Sequence, residues 1–155
     1  MVNSDHWLWR HDAATWLNCS RNELNFAEAA ISSRRKTLTH LRRCCGMALN
    51  AILHNQFDRN IWTREECESA WGRSYLDHLK RFDPDPSTSV LNPNARKYAD
   101  QLLNVPFSQG PLVQIGSVSD AELQRVCIAA RKFFEICTER ITPAQRSTLL
   151  QEPSD

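Results

Sequence analysis

Apolar residues recur along this chain every three to four positions, and runs that alternate apolar with polar are nearly absent. That periodicity predicts amphipathic helices and no sheet. A first helix is expected over about 5–32, capped by Ser4 or Asp5. At about 100° per residue, Trp9, Ala13, Trp16, Leu24, Ala27 and Ile31 share one arc and form its core stripe. A second, narrower stripe holds Leu8, Thr15, Cys19 and Phe26, set off from the first by Asp12 and Glu23. A second helix covers about 36–54, with Leu38, Leu41, Cys45, Ala48, Leu49 and Ile52 on the core face and Cys44, Met47 and Ala51 beside it. The link through Ser32, Ser33 and Arg34 is short enough to make the pair an antiparallel hairpin. Gly46 lowers helix propensity by about 1 kcal/mol, and a close helix crossing would account for it.

Thr63-Arg64-Glu65-Glu66 is a capping box and opens a third helix to about Phe82, with Cys67, Trp71, Tyr75 and Phe82 on one face. Pro84 and Pro86 stop it. A shorter helix is expected over about 93–104, capped by Asn92 with Pro93 at its first position. After an irregular loop over 106–118, Ser119-Asp120-Ala121-Glu122 forms a second capping box. It launches a last helix to about Arg140, whose face is Leu123, Val126, Cys127, Ala130, Phe133, Phe134 and Cys137. Thr142-Pro143 begins a final turn and residues 142–155 form a tail, so the expectation is one all-α, up-and-down bundle of about five helices over 1–141.

Composition narrows the chemistry. A chain of 155 residues with 41% apolar content can build one core and is not a disordered chain. The charge of +1 excludes a strongly electropositive nucleic-acid binder, though not a local basic patch. Four glycines are too few for a Rossmann turn or other phosphate-cradling loops. The amino terminus lacks the apolar stretch of a signal peptide, and no run approaches a membrane span, which reads as a cytoplasmic protein without membrane contact. The six cysteines form no C-x-x-C knuckle and read as buried free thiols. His40 and Cys44 stand one helical turn apart but lack a second ligand pair, so no metal or cofactor is expected. Asp83 and Asp85 in the proline loop do not make an EF-hand.

Two segments look familiar. Trp16-Leu17, Asn22-Glu23-Leu24 and Ala27-Glu28-Ala29-Ala30, followed by His40-Leu41 and the stretch from Met47 to Leu53, resemble the opening helical hairpin of the HEPN superfamily. The helix from Ala121 to Thr138 is similar to that family's closing helix. The resemblance covers somewhat under half of the chain. It implies a small helical bundle, usually a homodimer, in a family of RNA-cleaving toxins, nucleotidyltransferase partners and non-catalytic binding modules. The partners it implies are a second copy, a nucleotidyltransferase or antitoxin, and RNA. The family's RNases carry an Arg-x(4–6)-His motif. There a histidine moves a proton on a 2′-hydroxyl while an arginine holds the phosphate.

Such spacings occur at two places, Arg73 with His78, and Arg35 with His40, where Arg34 would also serve one residue further away. In an uninterrupted helix the first pair would point about 140° apart. His78 would then lie on the side of Trp71 and Phe82, as a hydrogen-bonded core histidine. No histidine follows His78, so the closing helix has no motif. Arg34, Arg35 and Lys36, with Lys80 and Arg81, are the basic clusters that would meet a phosphate, and Arg42 and Arg43 make no clean stripe with them. Of the five tryptophans, Trp7 and Trp62 lie near helix starts and are the ones freer to stack on a base. The stripe of Leu8, Thr15, Cys19 and Phe26 needs a second partner, either another helix of the same chain or a second subunit, and is the candidate dimer interface. The sequence thus reads as a HEPN-like, non-catalytic binding or dimerisation module. Its rival is a metal-independent endoribonuclease acting through Arg73 and His78.

Overall fold

The computed structural model describes residues 6–31, 33–82, 91–105 and 116–151, with side chains described over 121–141 of the last stretch. Among the described residues there is no strand. A 3-10 turn, Trp7–Arg10, precedes six helices: α1 (Ala13–Ala29), α2 (Arg34–Asp58), α3 (Arg64–Ser69), α4 (Tyr75–Arg81), α5 (Asn94–Asn104) and α6 (Gly116–Gln151).

The central element is α2, which touches every other helix and the 3-10 turn. Both of its predicted apolar faces are buried, and Thr37, Asn50 and Gln56 are buried with them. From Cys44 to Leu53 every residue is buried, the expected result where apolar residues fill more than one stripe, while Arg35, Lys36, Thr39 and Arg43 keep one side of the first turns in water. The hairpin with α1 forms as predicted. Ser33 caps α2 through the Lys36 amide. Polar side chains then tie the antiparallel pair at successive levels. The Ser20 hydroxyl donates to the Cys44 carbonyl at 2.7 Å, and the Thr37 hydroxyl to the Ala30 carbonyl at 2.8 Å. On the far side, Phe133 of α6 meets Phe82 edge-on with ring centroids 5.4 Å apart, and α5 packs against α6.

Several boundaries differ from expectation. The first helix is broken at His11, whose backbone is extended, because Asp12 recruits the Thr15 amide at 2.8 Å and starts α1 afresh. That cap holds the Asp12 carboxyl below its ordinary range, the Thr15 hydrogen bonds being the main cause. The detached 3-10 turn is pinned to α1 by the Trp16 indole, which donates to the Leu8 carbonyl at 2.9 Å. Trp9 packs half-buried at the edge of the core, donating to Glu68 at 2.6 Å with the Arg64 guanidinium over its ring. The expected third helix is two helices, parted at 70–74. Pro143 does not end α6, which runs past residue 141 to Gln151, so the helix gives no boundary there. The start of α6 is Gly116 rather than Ser119, and Glu122 pairs with Arg34 instead of closing a cap. The expected cap at Ser4 or Asp5, the Pro84 and Pro86 stop and the residues of the 106–115 loop lie outside the described residues.

Candidate functional site

Local signals split the 63–82 segment and in doing so shape a cleft. Thr63 and Glu66 satisfy each other's amides, the capping box expected from sequence, and start α3. The helix ends after six residues because Gly72 takes a left-handed φ of +87°. A side chain is also excluded there, since a Cβ on Gly72 would lie 2.5 Å from the Asp77 Cβ. Ser74 then caps α4 through the Asp77 amide at 3.0 Å. The 3-10 turn, α3 and α4 enclose a cleft of about 760 Å³ bordered by Trp7, Glu65, Glu68, Arg73, Asp77 and Arg81.

His78 lies on the other side of α4, 1% exposed. Trp7 covers it with ring centroids 5.3 Å apart, and Trp71 packs edge-on at 6.2 Å. Nδ1 donates to the Trp71 carbonyl at 2.9 Å, and Nε2 stands 2.7 Å from the Asn50 amide oxygen. A hydrogen on both ring nitrogens would make the ring a cation, which burial opposes. Desolvation pushes its pKa down to about 4, against the smaller upward pull of the Trp71 carbonyl and Asp77. A neutral ring needs a donor at Nε2. The Asn50 Nδ2, otherwise buried without a partner, supplies it when the amide is turned over. His78 is thus neutral, with both nitrogens engaged, and Arg73 is exposed at the cleft rim. The structure does not bring the two together.

The second Arg-x4-His spacing is also parted. Arg35 is exposed near the start of α2. His40 faces α1, where its Nδ1 meets Glu23 at 2.5 Å, and Arg43 reaches the other Glu23 oxygen at 3.1 Å. Glu23 is a buried carboxylate (7% exposed) answered by two partners, the arrangement that burying a charge requires. Arg34 pairs with Glu122 of α6. Lys36 is exposed near one end of α2, while Lys80 and Arg81 are exposed at the end of α4. Asn50, level with His78, lies roughly four turns and about 20 Å along α2 from Lys36. The basic clusters therefore do not merge into one patch.

Of the stripe expected at a dimer interface, Thr15 is exposed, Cys19 half-buried and Phe26 57% exposed beside His40. Leu8 is the exception and corrects the reading: the break at His11 takes it off the α1 surface and buries it in the core. Trp62 is half-buried against Trp71, with centroids 5.9 Å apart. Cys44 is buried against the Ser20 hydroxyl while His40 is engaged by Glu23, and no cluster of three or more metal-ligating side chains occurs among the described residues. All six cysteines are free thiols. Burial drives the Cys67 thiol up to about 12 and Cys127 up to about 11.

Some residues that matter were invisible as such in the sequence. Arg42 donates to the Leu102 and Val105 carbonyls and closes the end of α5. Arg96 does the same for α4 through Leu79. Asn50 had a usable signal, a lone amide in the apolar run from Gly46 to Leu53, which calls for a polar partner. No helix among the described residues is long and apolar enough to cross a membrane. Comparison of the chain with models of protein families, with curated proteins and with solved structures finds no match.

Proposed function

We propose that this chain is a HEPN-like, non-catalytic binding and dimerisation module of the cytoplasm, pairing with a second copy and serving RNA, a nucleotide or a nucleotidyltransferase partner. The observation that carries the reading is the state of His78. A general acid–base must reach its substrate and exchange a proton near working pH. This imidazole is under Trp7, bonded at both nitrogens and held neutral to about pH 4. The other histidine at Arg-x4-His spacing is occupied by Glu23. Dimerisation is supported by the exposed Phe26, flanked on α1 by Thr15 and Cys19. Covering an aromatic of this size on a partner would remove a surface that water solvates poorly.

The test is an RNA-degradation assay on wild type, Arg73→Ala and His78→Gln, with sedimentation of the same samples at micromolar concentration. The expected result is no cleavage above buffer in any of the three, and a dimer that Phe26→Asp weakens at least about tenfold. Cleavage that both Arg73→Ala and His78→Gln abolish would establish the endoribonuclease instead. A monomer in every sample would remove the dimerisation half of the reading.

A further inference from the structure

A depression of about 500 Å³ opens at the turn between α2 and α3, and its lining includes none of the residues that hold His78 and none of the α1 stripe. The end of α2 builds it. Asn60 takes a left-handed φ of +60°, a region that asparagine enters more readily than most residues. The Ile61 and Trp62 amides then both donate back to the Gln56 carbonyl, at 2.9 and 3.2 Å. This turn leaves Ile61 48% exposed on the border of the depression, with Phe57 and Trp62. Arg64, half-buried on the same border, supplies a cation. Its guanidinium lies over the Trp9 ring, 4.5 Å from the centroid, and 5.9 Å from that of Phe57. Stacking on rings holds a guanidinium in place and leaves its edge for hydrogen bonds. Yet Arg64 makes no ion pair, and its buried Nε has no hydrogen-bond partner. The acids closest along the chain are committed elsewhere. Asp58 meets His54 at 3.0 Å, Glu66 accepts from the Thr63 amide at 2.9 Å, and Glu68 accepts from the Trp9 indole at 2.6 Å. Glu65, exposed on the border, makes no ion pair with Arg64.

We propose that this depression binds a small monocarboxylic acid with an apolar body. The carboxylate would take Arg64, and the body would rest on Ile61, Trp62 and Phe57. An arginine fork pairs with a carboxylate through two parallel hydrogen bonds, so a planar acid answers the group that the chain leaves unanswered. The apolar lining favours a ligand that brings its own apolar surface out of water. Glu65 on the border repels a second negative charge, which favours a single carboxylate over a phosphate monoester. A neutral ligand with the same body would leave Arg64 as it is, so the acid must bind more tightly than its amide. A hollow of this volume suits a ligand of that size. The site goes beyond the module reading. RNA cleavage, or a monomer in sedimentation, would end that reading and leave this site in place, whereas failure here leaves the module untouched.

The experiment titrates the full chain with phenylpropanoate, phenylpropanamide, acetate and phenyl phosphate, following the indole N–H signals of Trp9 and Trp62 by NMR. Phenylpropanoate is expected to bind at least about tenfold more tightly than the amide, which has the body without the charge. It should exceed acetate, which has the charge without the body, by a similar factor, and should also bind more tightly than phenyl phosphate. Arg64→Gln should abolish the preference for acid over amide. Ile61→Ser, at an exposed position, should weaken acid and amide alike, by about threefold, with the melting temperature unchanged. Equal affinity of acid and amide for the wild type would overturn the proposal. That comparison needs no substitution, so it decides even where Arg64→Gln folds poorly. A preference for the acid that survives in folded Arg64→Gln would also overturn it. So would tighter binding of phenyl phosphate, which would make the depression a phosphate site. Binding that moves neither the Trp9 nor the Trp62 signal would likewise overturn it, by placing the acid elsewhere.

Discussion

Gly46→Ala is expected to destabilise the protein by roughly 2–3 kcal/mol, lowering its melting temperature by about 5–10 °C. At an open helix position the same change would stabilise by about 1 kcal/mol, because alanine is the better helix former. The sign of the effect is therefore diagnostic. A Cβ on Gly46 would fall 2.2 Å from the Tyr75 Cβ and 2.7 Å from its Cα, so the backbone of α4 itself must move. That displacement would pull His78 away from Asn50, one turn further along each helix, and loosen Trp7 over Tyr75, whose rings now stand 4.9 Å apart. Burial also raises the Tyr75 phenol above its ordinary pKa, so it stays neutral at the crossing. Thermal melts of wild type and variant would decide, and a gain in stability would show that the helices do not approach as described.

The second large effect is a dependence of stability on pH that traces to one ring. In the unfolded chain His78 binds a proton below about pH 6.5. In the folded protein it does so only near pH 4. Between those values the unfolded state holds more protons, so stability rises with pH across the window and falls as the solution is acidified. The full difference corresponds to about 3 kcal/mol, reached below the lower value and absent above about pH 7.5. In His78→Gln, which keeps hydrogen-bonding groups but does not titrate there, this component should vanish. Urea midpoints measured across about pH 4–7.5 would show it as a steeper acid loss in wild type than in the variant. Parallel curves would contradict the assignment of a neutral buried ring.

The helical class and much of the core were legible in the sequence because they rest on periodicity alone. Leu38, Leu41, Cys45, Ala48, Leu49 and Ile52 are all buried, as their spacing required. The Thr63–Glu66 box was legible because its two partners are three residues apart. Gly46 was legible as a close approach, though not its partner, Tyr75, which comes from a segment far along the chain. The breaks were harder. Asp12 sits between two apolar stripes and was read as part of a helix surface, yet its own side chain terminates one element and opens the next. Gly72 lies inside an apolar pattern that continues across it, so periodicity ran through a turn that only a left-handed φ reveals.

The candidate site was less legible for the same reason. That His78 is buried followed from its register with Trp71 and Phe82, but its partners Asn50 and Trp7 are distant in sequence. Leu8 shares a surface stripe with Thr15 only in a continuous first helix, and nothing local to Leu8 announces the break at His11. Arg42 and Arg96 looked like ordinary surface charge, and nothing local shows that their guanidiniums close the ends of other helices. The cleft itself depends on where α3 stops, a consequence of Gly72 that no spacing rule captures.

Nitrogen-resolved NMR of the His78 imidazole during an acid titration reads directly whether the ring is sealed and uncharged. The expected spectrum is a neutral ring with its hydrogen on Nδ1 that takes a second proton only near pH 4, slowly exchanging with water. A ring that titrates near 6.5, as a solvent-exposed histidine does, would show that His78 is open to substrate and would return the Arg73–His78 pair to consideration as a catalytic site.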